Sequence, residues 1–158
     1  MPHWRLAPFE KLSPQEVHDM LRARADVFVV EQACVFPDID GRDPECWHLI
    51  GRAGAGPRSP VIAYCRLVPA RVKYEEPSIG RVLTTAAGRR QGLGRELVRE
   101  ALARLDALWP GHAVRIGAQL HLERFYASFG FARVSEPYDE DGIQHIDMVR
   151  AARSQQHA

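Results

Sequence analysis

Apolar residues change their spacing several times along the chain, and each change predicts an element. Ser13-Pro14-Gln15-Glu16 opens the first helix: serine caps, proline suits the first helical position, and glutamate three residues on completes a capping box. Val17, Met20, Leu21, Arg24 and Phe28 then recur at helical spacing. CVFPDIDGRD (Cys34 to Asp43) interrupts that pattern with Pro, Gly and Asp and predicts a loop. WHLIG and VIAYCRLVP predict two antiparallel strands on either side of a Gly- and Pro-rich loop, residues 51–60. SIGRVLTT (Ser78 to Thr85) predicts another strand, and RRQGLG (Arg89 to Gly94) follows at once. Leu93, Leu97, Ala101, Leu105 and Leu108 mark one face of a helix ending near Trp109-Pro110. AVRIGA predicts a strand, and HLERFYASF a short helix stopped by Gly130. FARVSE and IQHIDMVR predict two closing strands. The order β-α-β-β-β-α-β-α-β-β is that of an α/β (α+β) sandwich on a mixed sheet.

The length of 158 residues suits one domain over residues 1–152, followed by a frayed polar tail at 153–158. No internal repeat or low-complexity tract divides it. A net charge of +1 provides no overall field toward nucleic acid or a membrane surface. Beyond Arg89, Arg90 and Arg95 there is no basic patch and no interleaved aromatics, so a nucleic-acid partner is not expected. Cys34, Cys46 and Cys65 form an odd set without CxxC spacing, which points to reduced thiols and a cytoplasmic protein. Cys46 and His48 lack a second close pair, so no metal site is expected. MPHWRLAPFE has no apolar core of a signal peptide, and VFVV, ended by Glu31, is far too short to span a bilayer.

RRQGLG carries the strongest chemical signal. A glycine loop between a strand and a helix lets backbone N–H groups approach an anion, and the helix N-terminus adds roughly half a positive charge. A Walker loop needs Gly-Lys-Ser/Thr, and a dinucleotide fingerprint needs a third glycine where Leu97 stands. Arg89, Gly92 and Gly94 instead match the Arg/Gln-x-x-Gly-x-Gly/Ala motif. In this the chain resembles the GNAT family of acetyl-CoA-dependent N-acetyltransferases. FVVEQ, DIDG, HLIG, GAQLHLERFYASFGF and EDGIQHI together resemble its ElaA-type members, from about Leu21 to Arg150. Ala86 and Ala87 replace the Pro-Glu common in the family.

The resemblance implies a mixed, mostly antiparallel sheet flanked by helices on both faces, with acetyl-CoA as acyl donor. Arg89, Arg90, Gln91, Gly92, Leu93, Gly94 and Arg95 would cradle its pyrophosphate. Val82, Leu83 and Thr84 would pair with the pantetheine arm, where the family's strand splays from the next. The acceptor would be the primary amine of a small molecule or peptide, attacking directly, since no cysteine stands in the catalytic segment. The resemblance also allows a homodimer.

Acetyl transfer to an amine needs a base for the amine proton and an acid for the departing thiolate. Tyr126, in HLERFYASFGF, is the candidate acid, since a phenol stays protonated at neutral pH; Phe125 and Phe129, spaced i,i+4, read as core. Glu31, His121, His48 and His145 are candidate bases, with a water chain and no single base as the alternative; for Glu31 the reason is that an apolar run precedes it and predicts partial burial. His48, Asp40 and His145 are candidate substrate-binding residues, and Asp38, Asp40 and Asp43 around Gly41 read either as turn chemistry or as an acidic lining for a cationic amine. Two rival readings are an acyltransferase resembling acyl-homoserine lactone synthases, from Arg24, Phe28, Glu31 and YCRLVP, and a non-catalytic acyl-CoA-binding module.

Overall fold

The computed structural model describes residues 1–90 and 92–153. Gln91 of the glycine loop and residues 154–158 of the predicted tail lie outside the described residues. The elements run β1 (His3–Pro8), α1 (Pro14–Arg24), a π-helical turn (Ala25–Glu31), β2 (Trp47–Arg52), β3 (Val61–Val68), β4 (Ser78–Thr84), α2 (Leu93–Leu108), β5 (Val114–Gln119), α3 (Glu123–Ala127), β6 (Phe131–Arg133), β7 (Tyr138–Glu140) and β8 (Ile143–Arg150). The strands form one sheet in the order β1-β2-β3-β4-β5-β8-β6, with β7 pairing the start of β8. Every pairing is antiparallel except β4 with β5. Helices cover both faces, as expected. Among the described residues no helix is long and apolar enough to cross a membrane.

Two details depart from expectation. The capping box forms at α1, with Ser13 Oγ accepting from the Glu16 N–H at 3.1 Å and Glu16 Oε1 accepting from the Ser13 N–H at 2.9 Å. The α-helix stops at Arg24, however, and the chain continues in a wider π turn, with the Gln32 N–H bonded to the Val27 carbonyl at 3.2 Å. The wider turn changes which residues face inward: Val27 is buried, whereas Val30 is 70% exposed. There are also three closing strands rather than two. β7 and β8 form a hairpin across Asp141-Gly142, both with positive φ (51° and 84°), the geometry of a type I′ turn.

The sheet separates two apolar clusters. On one face, Leu93, Leu97, Ala101 and Leu105 of α2 pack on Leu49, Cys65, Leu67, Ile79, Ile116 and Met148. Burying each such leucine contributes about 1.5–3 kcal/mol. On the other face, Met20, Ala23 and Val27 pack on Ile50, Tyr64 and Leu83.

β4 is held differently on its two edges. It pairs with β3 along its length, but between Arg66↔Gly80 and Tyr64↔Leu83 it carries one extra residue. That is a β-bulge, and Arg81 at its centre adopts φ 52°, a left-handed conformation uncommon for a non-glycine residue. On its other edge, β4 meets β5 at the single pair Ser78↔Arg115. The two strands then part, and the slot between them opens toward Thr84 and Gln119.

Gly88 fixes the loop that follows β4. A Cβ there would stand 2.2 Å from Ile62 Cβ and 3.0 Å from Ile62 Cα, so no side chain fits without moving β3. Gly88→Ala is therefore expected to destabilise the fold by about 1–3 kcal/mol, the usual cost of overpacking, read as a lower urea midpoint with unchanged m-value.

Candidate active site

The parting of β4 and β5 makes one wall of a cavity of about 430 Å³. Ser78 to Val82 and Ile116 to Gln119 line the slot, with Leu122 and Tyr126 beside them. The opposite end is closed by Phe28, Gln32 and the Asp-rich loop on one side and by Glu140, Asp141 and His145 of the β7–β8 hairpin on the other. The two sides touch where the Cys34 thiol donates to the Asp141 carbonyl at 3.3 Å.

Tyr126, the candidate acid, lines the cavity. It is 8% exposed and lies edge-on to Phe125 and Phe131. Burial raises its pKa well above the usual phenol value, so the O–H is kept. Phe125 and Phe129, only partly buried, stack edge-on at 5.4 Å beneath the Arg95 guanidinium. Val82, Asp40 and His145 also line the cavity. His145 is nearly buried; its Nδ1–H donates to the Ile143 carbonyl at 2.8 Å, and Nε2 faces Glu140 Oε2 at 3.3 Å. A carbonyl only accepts, so this contact places a proton on Nδ1.

Leu83 turns to the α1 core, because the bulge reverses the alternation of β4, and Thr84 pairs with Ala63; neither lines the cavity. Glu31 does not face the core; its side chain is 35% exposed. The π turn carries it to the surface, where it pairs with Arg89 Nη2 at 2.6 Å. His121 is exposed and outside the cavity lining. His48 is fully buried in the sheet: Nε2–H donates to the Asp43 carbonyl at 3.0 Å and Nδ1 accepts from the Tyr64 hydroxyl at 2.8 Å. Both ring nitrogens are used, burial lowers its pKa, and no acceptor reaches it.

The Asp-rich loop is not a lining that awaits a cationic amine. Arg24, fully buried, donates to Asp38 Oδ2 at 3.0 Å and Asp43 Oδ1 at 2.7 Å. Arg66 Nη1 donates to Asp40 Oδ1 and Asp43 Oδ1, each at 2.9 Å. Arg81 Nε donates to Asp38 Oδ1 at 2.8 Å. Three arginines from α1, β3 and the β4 bulge thus neutralise three aspartates. Although desolvation opposes it, the guanidinium partners hold the Asp40 and Asp43 carboxyls well below their usual range. Among the described residues, no group of three His, Cys, Asp or Glu side chains is placed to hold a metal.

The glycine loop opens α2. Gly92 is the N-cap with φ 87°, and the first i→i−4 bond is from the Glu96 N–H to the Gly92 carbonyl at 3.0 Å. The earlier amides of that turn have no intrahelical acceptor. Leu93 anchors the turn in the core, and Gly94 presents no side chain. Arg90 pairs with Glu96 at 2.9 Å. Sequence reasoning missed Cys34, Arg42, Lys73, Gln119 and Glu140, which line the cavity from four separate elements. Cys34 is the cysteine thought absent from the site. Its thiol donates to a carbonyl and so is protonated, a poor nucleophile.

Comparison with known proteins agrees with this geometry. Residues 67–152 match the family model described as an acetyltransferase (GNAT) domain. A UPF0039 protein of Synechocystis sp. is 43% identical over 147 residues, covering 93% of this chain and 94% of its own. The crystal structure of an acyl-CoA N-acyltransferase from Pseudomonas aeruginosa superposes with TM-score 0.88 at 37% identity, over 96% of this chain and 100% of that one. That of Escherichia coli ElaA superposes with TM-score 0.86 at 38% identity, over 95% and 99%.

The buried ion cluster carries a pH signature. Groups whose folded pKa is depressed contribute stability above their unfolded pKa and lose it as pH falls through the folded value. Stability is expected to decline gently below about pH 6.5 as neutral His48 is challenged, and steeply below about pH 4 as Asp40 and Asp43 protonate. Asp43→Asn should cost roughly 3–5 kcal/mol at pH 7 by leaving Arg24 and Arg66 underpaired, and should flatten the steep stage. Urea midpoints measured from pH 7 to pH 3 read both effects.

Proposed function

Because the chain belongs to the GNAT acetyltransferase family and is an acyltransferase, we propose that it transfers an acetyl group from acetyl-CoA to a primary amine by direct attack. The observation that carries this reading is the slot itself. β4 parts from β5 after one pair, and the chain leaving β4 leads through the glycine loop into the N-terminus of α2, outside the cavity lining. The free strand edges suit the amides of a pantetheine arm, and the first turn of α2 suits a pyrophosphate.

Arg89 is held by an exposed pair with Glu31 and a bond from Nη2 to the Thr84 carbonyl at 3.0 Å, and Arg90 by an exposed pair with Glu96; each pair is worth at most about 1 kcal/mol, so an anion displaces the carboxylates easily. Val82 stands where the bulge interrupts pairing with β3.

Bound acetyl-CoA supplies a thioester whose carbonyl carbon takes the amine's lone pair as the C–S bond breaks, giving an amide and the CoA thiol. His145 Nε2 takes the ammonium proton first, and Glu140, on the outer side of the imidazole, passes it to solvent. Tyr126 gives its O–H proton to the sulfur and regains one from the attacking nitrogen. One proton is released per turnover. Glu31, at the surface, retains a role in placing Arg89 and none in proton transfer.

Calorimetric titration of acetyl-CoA, with ATP and NAD as controls, tests the donor. Micromolar binding that Gly92→Asp abolishes is expected; equal binding of ATP, or none of acetyl-CoA, overturns the assignment. Tyr126→Phe should keep that binding and lower kcat by about a hundredfold or more, the usual contribution of a positioned acid. Retention of full kcat would remove Tyr126 from the chemistry. Binding without transfer to any amine would point to a non-catalytic acyl-CoA-binding module.

A further inference from the structure

The end of the cavity away from α2 has a charge imbalance that the ion cluster does not cancel. Arg24, Arg66 and Arg81 are matched by Asp38, Asp40 and Asp43. Arg42 and Lys73 line the same end and have no comparable partner. Arg42 reaches Asp40 only at 3.4 Å, and Asp40 already serves Arg66 and stands 3.6 Å from Arg81. The Lys73 ammonium lies over the Tyr74 ring at 5.3 Å and forms no ion pair among the described residues. Desolvation lowers its pKa, and the charges of Arg81, Arg66 and Arg42 push it the same way, against an upward pull from Glu140. Five cations thus meet four carboxylates, Glu140 included, an excess of one positive charge.

A second observation points at the same place. Arg66 is 1% exposed, and its Nε–H has no hydrogen-bond partner in the protein. It sits 3.8 Å from where a Cβ of Gly80 would stand, on a stretch of β4 that lines the cavity. An unpaired buried donor is costly and calls for an acceptor oxygen. Glu140, Asp141 and the Nε2 edge of His145 line the same cavity, with Glu140 the strongest charge acting on Lys73.

We propose that the acceptor is a zwitterion of the amino-acid class, its carboxylate drawn to Lys73, Arg42 and Arg66 Nε, and its amine to the wall of Glu140, Asp141 and His145. The proposal rests on the acyltransferase reading of the same cavity. It selects a free carboxylate over an amide or an uncharged alkylamine. A planar carboxylate has two oxygens for two or three donors and one charge to match the excess positive charge. The volume of about 430 Å³, shared with the acyl end of the donor, suits a small molecule.

The test uses the full chain and acetyl-CoA, with release of the CoA thiol as the rate. The panel is the free L-amino acids, the corresponding carboxamides, and the decarboxylated amines. Free acids should exceed their carboxamides in kcat/KM by roughly ten- to a hundredfold, the span of a hydrogen bond to a charged group, with the difference mainly in KM. Lys73→Met should collapse that preference while acetyl-CoA affinity is retained, and Lys73→Arg should restore most of it. Carboxamides or plain amines used as well as free acids overturn the proposal. So does turnover of none of the panel while acetyl-CoA binds, or a Lys73→Met loss confined to kcat and equal for acids and carboxamides. Failure of acetyl-CoA to bind at all defeats the acyltransferase reading instead, so the two failures are distinguishable.

Discussion

The buried pairing of Arg24, Arg66 and Arg81 with Asp38, Asp40 and Asp43 is the constraint on which the cavity depends. The arginines come from α1, β3 and β4, and the aspartates from one loop. Removing six charges from water is unfavourable by itself, and replacing buried ion pairs with apolar side chains is often neutral or stabilising. What the cluster provides is position. It ties the loop to both the helix and the bulged strand, and it holds Arg81 at a positive φ through two bonds, to Asp38 Oδ1 and to the Asp38 carbonyl. The loop then becomes a fixed wall instead of a mobile connection, and Phe36 and Pro37 are presented to the cavity.

The same constraint accounts for the slot. β4 is fastened to β3 by its ladder and, at the bulge, to the Asp-rich loop by Arg81, while α2 packs Leu93 and Leu97 against the other face. β5 is fastened on its far side, pairing with β8 along its whole length. Each strand has a full partner on one edge and is free to diverge on the edge between them. A parallel pair with a single bridge is weak as a sheet contact, and its weakness is what leaves main-chain donors and acceptors exposed for a ligand. Gly88, pressed against Ile62, sets where the chain turns from that free edge into α2.

How much of this was legible in the sequence depends on how local each signal is. The capping box at Ser13, the apolar stripe of α2 and the Gly92-x-Gly94 turn are local patterns, and they appear where the spacing put them. Tyr126 followed from a motif with its own context. Glu31 was misjudged because an apolar run predicts burial only if the helix keeps its period, and the π turn changes that period after Arg24. His48 looked like a free imidazole because its partners, Tyr64 and the Asp43 carbonyl, are set by the β2–β3 register and a loop. The aspartates read as turn residues or an amine lure because their arginines lie 14 to 43 residues away. No glycine stands at position 81 to announce the bulge, so the strand looked regular. Lys73 and Glu140 carry no motif at all, and only tertiary structure brings them to one cavity.

The electrostatics of the site also bear on how an amine loses its proton there. A cavity next to six buried charges would strongly bias any titrating group if those charges were unbalanced. Three arginines against three aspartates leave the cluster close to neutral, so its net field at the reacting nitrogen is small. The remaining bias comes from Arg42 and Lys73, which are positive. Positive charge disfavours an ammonium and favours its neutral amine. Under the proposed function, the same two side chains that attract a carboxylate also make the amine a better nucleophile. Glu140 pulls the other way, and water screens all three, the side chains of Glu140 and Arg42 being 47% and 41% exposed and Lys73 also exposed. Under the proposed function the departing proton has one direction: outward, from the nitrogen through His145 toward the solvated carboxylate of Glu140.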